Sequence, residues 1–329
     1  MAEAKDNQDI SAGAQLTGVV VLFFAACLLG FAPIFVKASE LGPMAIGFWR
    51  LTLSLPILAV WLWFEMRQAK RREAEHGAVK PLSWKPIALA GLFFAGDLAF
   101  WHTGIKITTA ANATLLANLT PIIVAVAAFF LFGEAITRRF LAAGALALTG
   151  AVLLSAGNVQ FAPERLTGDV FSALTALWYA AYLLAVRAAR RAGAATVQVM
   201  FWSTLTAAPI LLLVTLAFSE PVFPATALGW APLVALGVIV HAGGQGGIAF
   251  GLGRTPAALA TLIILIQPVV AACAGWILFG EALVALQWLG AGLVLAGVYM
   301  AQRLRAPTAT PGAAAVSTPG PARSKPSKP

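Results

Sequence analysis

Arg50, Asp97, His102 and His241 stand inside long apolar stretches of this 329-residue chain, not between them. A charge at mid-bilayer costs at least a few kcal/mol, so each of the four needs a partner or a task. Helical rise of about 1.5 Å per residue sets their depths. Arg50 lies about seven residues into its segment, roughly 10 Å deep. Asp97 lies about twelve residues into a segment entered from the other side, roughly 12 Å below the face nearest Arg50. Two chemistries fit that coincidence. The two charges pair with each other, as buried charges usually do. Alternatively Asp97 takes up a proton or meets a substrate ammonium, while Arg50 meets a substrate carboxylate.

Other polar and aromatic side chains sit at related places. Trp101 is four residues beyond Asp97, and Gln245 four beyond His241, so each pair shares a helical face. Trp178, Tyr179 and Tyr182 are deep in one segment, whereas Trp49, Trp84, Trp202 and Trp230 fall where interfacial aromatics belong. Arg50, Asp97, Trp101, Trp178, Tyr182, His241 and Gln245 are the substrate-binding candidates, with Asp97 the candidate for proton coupling. For His241 and Gln245 a hydrogen bond between helices is the competing role. His102 is near a helix end, within reach of the interface. Asn112 and Asn118 look like glycosylation sequons but lie within a span, where they bond between helices or line a cavity. Few charges and many aromatic rings suit a small amphipathic or zwitterionic solute better than a phosphorylated one.

Several chemistries are missing. No paired-aspartate, His-Glu-x-x-His or Gly-x-Ser-x-Gly constellation occurs in the spans, and no Walker-type loop, so neither an enzyme nor an ATP-driven pump is expected. Cys27 and Cys273 are isolated within apolar segments, and no metal-ligand spacing exists, so neither metal nor cofactor is expected.

The elements that hold these residues are membrane helices. Hydrophobic residues make up 60% of the chain, charged residues 11%, and mean hydropathy is +0.85. Ten continuously apolar stretches reach the roughly 20 residues that a bilayer crossing needs. They fall near residues 17–37, 43–64, 85–105, 111–131, 139–157, 168–189, 196–218, 230–251, 257–278 and 284–302. Assigning the loops alternately to two sides puts 18 of the 22 Lys and Arg on the side of the N-terminus. The net charge of +9 is therefore a topology signal that places both termini in the cytoplasm, and it leaves no support for a nucleic-acid partner.

The chain is also duplicated. Leu131-Phe132-Gly133-Glu134 recurs as Leu278-Phe279-Gly280-Glu281, and at that offset of 147 residues Pro121 falls on Pro268 and Asp97 on Gly244. Between residues 111 and 151, 15 of 41 positions are identical to their counterparts. Each copy holds five spans, and an odd number forces the second copy to enter the membrane from the opposite side. The expected architecture is all-α: ten transmembrane helices as two inverted five-helix repeats, the arrangement on which many secondary transporters alternate access. Its parts are an N-terminal tail at 1–16, repeats at 17–157 and 168–303, and a disordered cytoplasmic tail at 306–329. Glu134 and Glu281 are expected to make structural corners, with Gly133 and Gly280 as helix C-caps. Pro121 and Pro268 are expected to break their helices beside the site. Pro33, Pro56 and Pro209 are further candidates for bends. Gly243, Gly247 and Gly251 form a smooth stripe for close helix approach.

The segments TTAANATLLANLTPIIVAVAAFFLFGE, TPAALATLIILIQPVVAACAGWILFGE and FAPIFVKASELGPMAIGFWRLTLSLP resemble the paired EamA domains of the drug/metabolite transporter superfamily. The resemblance spans about residues 17–303. It implies a ten-helix carrier of the bacterial inner membrane that exports a small metabolite such as an amino acid. A sensor or scaffold on the same fold, or an uptake carrier, is the alternative. The expected partners are the solute and the lipid bilayer, with a homodimer left open.

Overall fold

The computed structural model describes residues 2–76, 82–108, 110–134, 136–156, 163–279 and 284–303. Among them, ten helices are long and apolar enough to cross a membrane. They are α1 (Gly13–Ala38), α2 (Pro43–Ala69), α3 (Trp84–Ile107), α4 (Ala113–Phe132), α5 (Arg138–Ser155), α6 (Pro163–Arg191), α7 (Thr196–Ala217), α8 (Trp230–Leu252), α9 (Ala257–Ala274) and α10 (Ala285–Arg303). No strand occurs among the described residues. The apolar stretches read from sequence match these helices to within a turn or so. At the N-terminus the helix runs back to Ala2, through residues expected to be a tail. The expected tail at 306–329 lies outside the described residues. The side of the molecule on which α1 begins is its N-terminal face, and the opposite side is its far face.

Helix pairs exchange places across the two repeats. The closest neighbours are α3 with α6, α8 with α1, α5 with α10 and α2 with α7, while α4 crosses α9. The glycines show how strictly this holds. A Cβ on Gly150 would lie 2.5 Å from Val294 N and 2.6 Å from Gly290 O. One on Gly297 would lie 2.6 Å from Ala147 N and 2.7 Å from Ala143 O. Each contact becomes the other when 147 is added to or subtracted from every number. Helices α5 and α10 run antiparallel, since Ala143 meets Gly297 and Gly150 meets Gly290, as inverted copies require. The same holds at the helix ends, where Gly18 packs on Thr255 and Gly168 on Thr108. Gly243, Gly247 and Gly251 press against Leu28, Ala25 and Leu22, so the glycine stripe of α8 receives α1.

Four of the spans are interrupted. α1 breaks at Phe31 before Pro33, and α2 at Leu53-Ser54 before Pro56. α4 breaks at Asn118-Leu119 before Pro121, and α9 at Leu265 before Pro268. Proline lacks the N–H that would continue the ladder and clashes with the carbonyl four residues earlier. Pro209 is the exception, standing inside the uninterrupted helix Thr196–Ala217. α8 has an irregularity that the sequence pattern does not announce, a π-helical stretch from Leu236 to Gln245.

Candidate functional site

The interrupted helices converge on a cavity of about 80 Å³. Three of the four breaks face it. Gly30, Ala32 and Pro33 come from α1, Ala117, Asn118, Thr120 and Pro121 from α4, and Ile264, Leu265 and Gln267 from α9. Because α4 and α9 are copies, their linings are copies too: Thr114 answers Thr261, Ala117 Ile264, Asn118 Leu265, and Thr120 Gln267. The polarity of the equivalent positions differs, so a symmetric frame encloses an asymmetric site. At the α4 break the Thr120 hydroxyl donates to Ala117 O at 2.7 Å, supplying part of what the broken ladder loses.

Charge enters from the first repeat. Arg50 of α2 and Asp97 of α3 both line the cavity and are 2% and 7% exposed. Among the described residues, neither takes part in an ion pair within 4.0 Å. The Arg50 guanidinium carbon lies 5.8 Å from the centre of the Phe94 ring. Two polar atoms on lining residues, Arg50 Nε and Asn118 Nδ2, are buried without a hydrogen-bond partner, and the Tyr179 hydroxyl and the Gln245 side chain interact beside them with no hydrogen bond inside 3.5 Å. Leaving such an atom unpaired costs about 1–3 kcal/mol, more for a charged group, and each one calls for an explanation. Their gathering around one cavity is that of a site equipped to meet polar groups from outside the protein.

The candidates taken from sequence divide. Arg50, Asp97, Trp101 and Gln245 line the cavity together. Trp178 lies outside it, packed over Gly96 with its ring 6.2 Å from Phe93 and 5.8 Å from Phe100. Tyr182 is buried behind the wall, 4.5 Å from the Phe94 ring, with its hydroxyl 4.0 Å from the Met200 sulfur. His241 is also behind the wall, with Nε2 2.8 Å from the Thr204 hydroxyl and its ring stacked on Phe94 at 5.3 Å. His102 is fully buried and bonded through Nδ1 to Pro43 O at 3.1 Å, at the first residue of α2. Of the three deep aromatics of α6 it is Tyr179, left out of the candidates in favour of Trp178 and Tyr182, that lines the cavity. It shares with Thr175 and Leu183 a cavity-facing stripe of α6 at a spacing of four, a signal present in the sequence. Asn118 also faces the cavity, whereas the Asn112 side chain is outside the described set.

In its first copy the repeated motif builds a corner, although Glu134 was expected to bond the start of the next helix. Gly133 adopts φ 64° and ends α4, its N–H reaching Phe129 O at 3.1 Å. Glu134 does not bond the start of the next helix. It accepts N–H bonds from Ala257 and Ala258 at 3.2 and 3.4 Å, capping α9 of the other repeat. Gly280 and Glu281 lie outside the described residues.

A family model described as the EamA-like transporter family matches residues 16–156 and again 166–302. An aromatic amino acid exporter, YddG, of Ancylobacter novellus is 31% identical over 165 residues, 49% of this chain and 54% of that protein. An uncharacterized transporter of Archaeoglobus fulgidus is 32% identical over 153 residues, 45% of this chain and 50% of its own length. The match thus spans about half the length of each of these two relatives. Another transporter of Archaeoglobus fulgidus is 25% identical over 286 residues, covering 87% of this chain and 96% of that one. One crystal structure superposes with a TM-score of 0.71 at 21% identity, covering 88% of this chain and 98% of the other, which is a likeness of fold. With both repeats matched from end to end, the chain belongs to the EamA-like transporter family.

Proposed function

We propose that the protein is a secondary carrier that exports a small zwitterionic or amphipathic metabolite, an amino acid being the leading class, by rocking its two repeats around the central cavity. The observation that carries this reading is the cavity at the crossing of the two copied, broken helices. It holds a cation and an anion outside any ion pair with a described residue, together with the buried polar side chains of Asn118, Tyr179 and Gln245. Broken helices in matching positions of inverted repeats flank the substrate in many carriers. Arg50 would meet a carboxylate, Asp97 an ammonium or a transported proton, and Trp101 the apolar part of the solute. Asn118, Tyr179 and Gln245 would read its remaining hydrogen-bonding groups. The name of the Ancylobacter relative supports the amino-acid class and the outward direction. The basic bias of the loops supports a cytoplasmic position for both termini.

Metabolite release from cells with and without the gene identifies the solute, and proteoliposomes with an imposed pH gradient then measure its flux. Asp97→Asn and Arg50→Ala are expected to abolish gradient-driven flux at normal protein abundance. If Asp97 couples protons, residual exchange of solute by Asp97→Asn becomes indifferent to the pH gradient. Full flux by both variants rules out this site.

A further inference from the structure

On the N-terminal face one side-chain pair joins four helix ends. Glu134, just beyond α4, caps the first residues of α9. Arg187, in the last turns of α6, donates from Nη2 to Glu134 Oε1 at 3.1 Å. Its Nη1 donates to the carbonyls of Leu252 at 2.6 Å and Thr255 at 2.5 Å, where α8 ends. Glu134 belongs to the first repeat and its three partner helices to the second, so the cluster ties repeat to repeat. Both side chains are 12% exposed.

The duplication says where its counterpart would be. Thr17-Gly18 matches Thr167-Gly168, and Val36-Lys37-Ala38 matches Val186-Arg187-Ala188, at a constant offset of 150. The equivalent contacts of Gly18 with Thr255 and Gly168 with Thr108 fix the same register in space. Lys37 is therefore the counterpart of Arg187, at the far face. It is exposed there and makes no hydrogen bond or ion pair with a described residue. Its partner by symmetry, the equivalent of Glu134, is Glu281, which lies outside the described residues.

We propose that Arg187 and Glu134 form an inter-repeat lock that positions α9 against α6 and α8, holds the cavity shut toward the N-terminal face, and must part before solute enters from that face. Guanidinium is suited to this because one planar group spans a carboxylate and two carbonyls at once. Partial exposure lets water replace those bonds when the helices separate, so the lock is reversible where a fully buried pair would not be. The inference rests on the carrier reading, but its test needs no solute, so the two fail separately.

The test is labelling of a single cysteine, Ala271→Cys in the cavity, on a Cys27→Ser, Cys273→Ser background. A membrane-impermeant maleimide is applied to sealed vesicles whose exposed face is identified by protease access to an N-terminal tag. From the N-terminal face, Glu134→Gln and Arg187→Ala are expected to label about tenfold faster than the parent, which is about 1.4 kcal/mol in the closed-to-open equilibrium. Arg187→Lys should fall between. Glu134→Gln keeps shape and one capping oxygen, so it carries the test if Arg187→Ala does not fold. Parental labelling rates from that face, in monodisperse Glu134→Gln protein, overturn the lock and leave a helix corner.

Discussion

Arg50 and Asp97 share a cavity without bonding each other, and that separation determines what each can offer a solute. A guanidinium held in a low-dielectric interior with its Nε unpartnered is a stability cost, typically several kcal/mol before compensation. Removing the charge while keeping apolar volume should therefore leave the fold intact. Arg50→Met is expected to hold or raise the thermal midpoint of the detergent-purified protein while eliminating flux, and a clear drop in midpoint would show that Arg50 has a structural partner. Both charges were legible in the sequence because ionisable residues are rare in apolar helices. Which face of its helix each candidate residue occupies was less legible. His241 and Gln245 are four apart, which means one face in an α-helix. In the structure the two do different things, Gln245 lining the cavity and His241 bonding Thr204 behind its wall. On α6 the choice among Trp178, Tyr179 and Tyr182 depended on the azimuth of the helix, which only packing fixes.

At the scale of elements, the α5–α10 pair and the four broken helices do different jobs. The antiparallel α5–α10 contact is made through backbone, where side chains are small enough for two helices to touch. A Cβ on Gly150 would arrive 2.5 Å from Val294 N, with no flexible side chain to give way. Gly292 lies on the same pair with nothing within 4 Å of the equivalent position. Gly150→Ala is thus expected to lower thermal stability by about 1–3 kcal/mol through overpacking. Gly292→Ala should be neutral or stabilising by about 0.5–1 kcal/mol, since alanine relieves the backbone entropy of a helical glycine. Melting curves of the two variants decide it, and equal shifts would contradict the contact. The breaks in α4 and α9 were foreseeable because both prolines recur at one offset. The continuity of α7 through Pro209 was not, because neighbouring helices decide whether a proline opens a span.

For the molecule as a whole, the duplication makes a symmetric frame and the side chains make it a directed one. Arg50 and Asp97 both belong to the first repeat; their equivalents in the second are Ser203 and Gly244, at offsets of 153 and 147. If the two halves rock as proposed, the ionic pole of the site moves with one of them only. The N-terminal face is tied by Arg187 and Glu134 across the repeats. The far face is fastened at its edge, where the loop after α1 meets the segment between α7 and α8. There the Thr226 hydroxyl and amide donate to Glu40, at 2.5 and 3.1 Å, and Glu220 accepts from the Met44 and Ala45 amides at 3.0 Å each. Ser219, at φ 53°, takes the left-handed turn that aims Glu220 at the start of α2. The Thr226 hydrogen bonds lower the pKa of Glu40 below its usual 4.5. A lowered carboxylate contributes its stability above the unfolded value, and loses it as pH falls through the folded one. The Glu40 strap should thus be at full strength at neutral pH and released only in acid below about 4.5. Protease cutting between α7 and α8 in inverted or sealed vesicles should rise over that window in the parent. Glu40→Gln should cut faster at neutral pH and lose that part of the acid dependence, and an unchanged profile would mean that the strap contributes nothing to holding the far face.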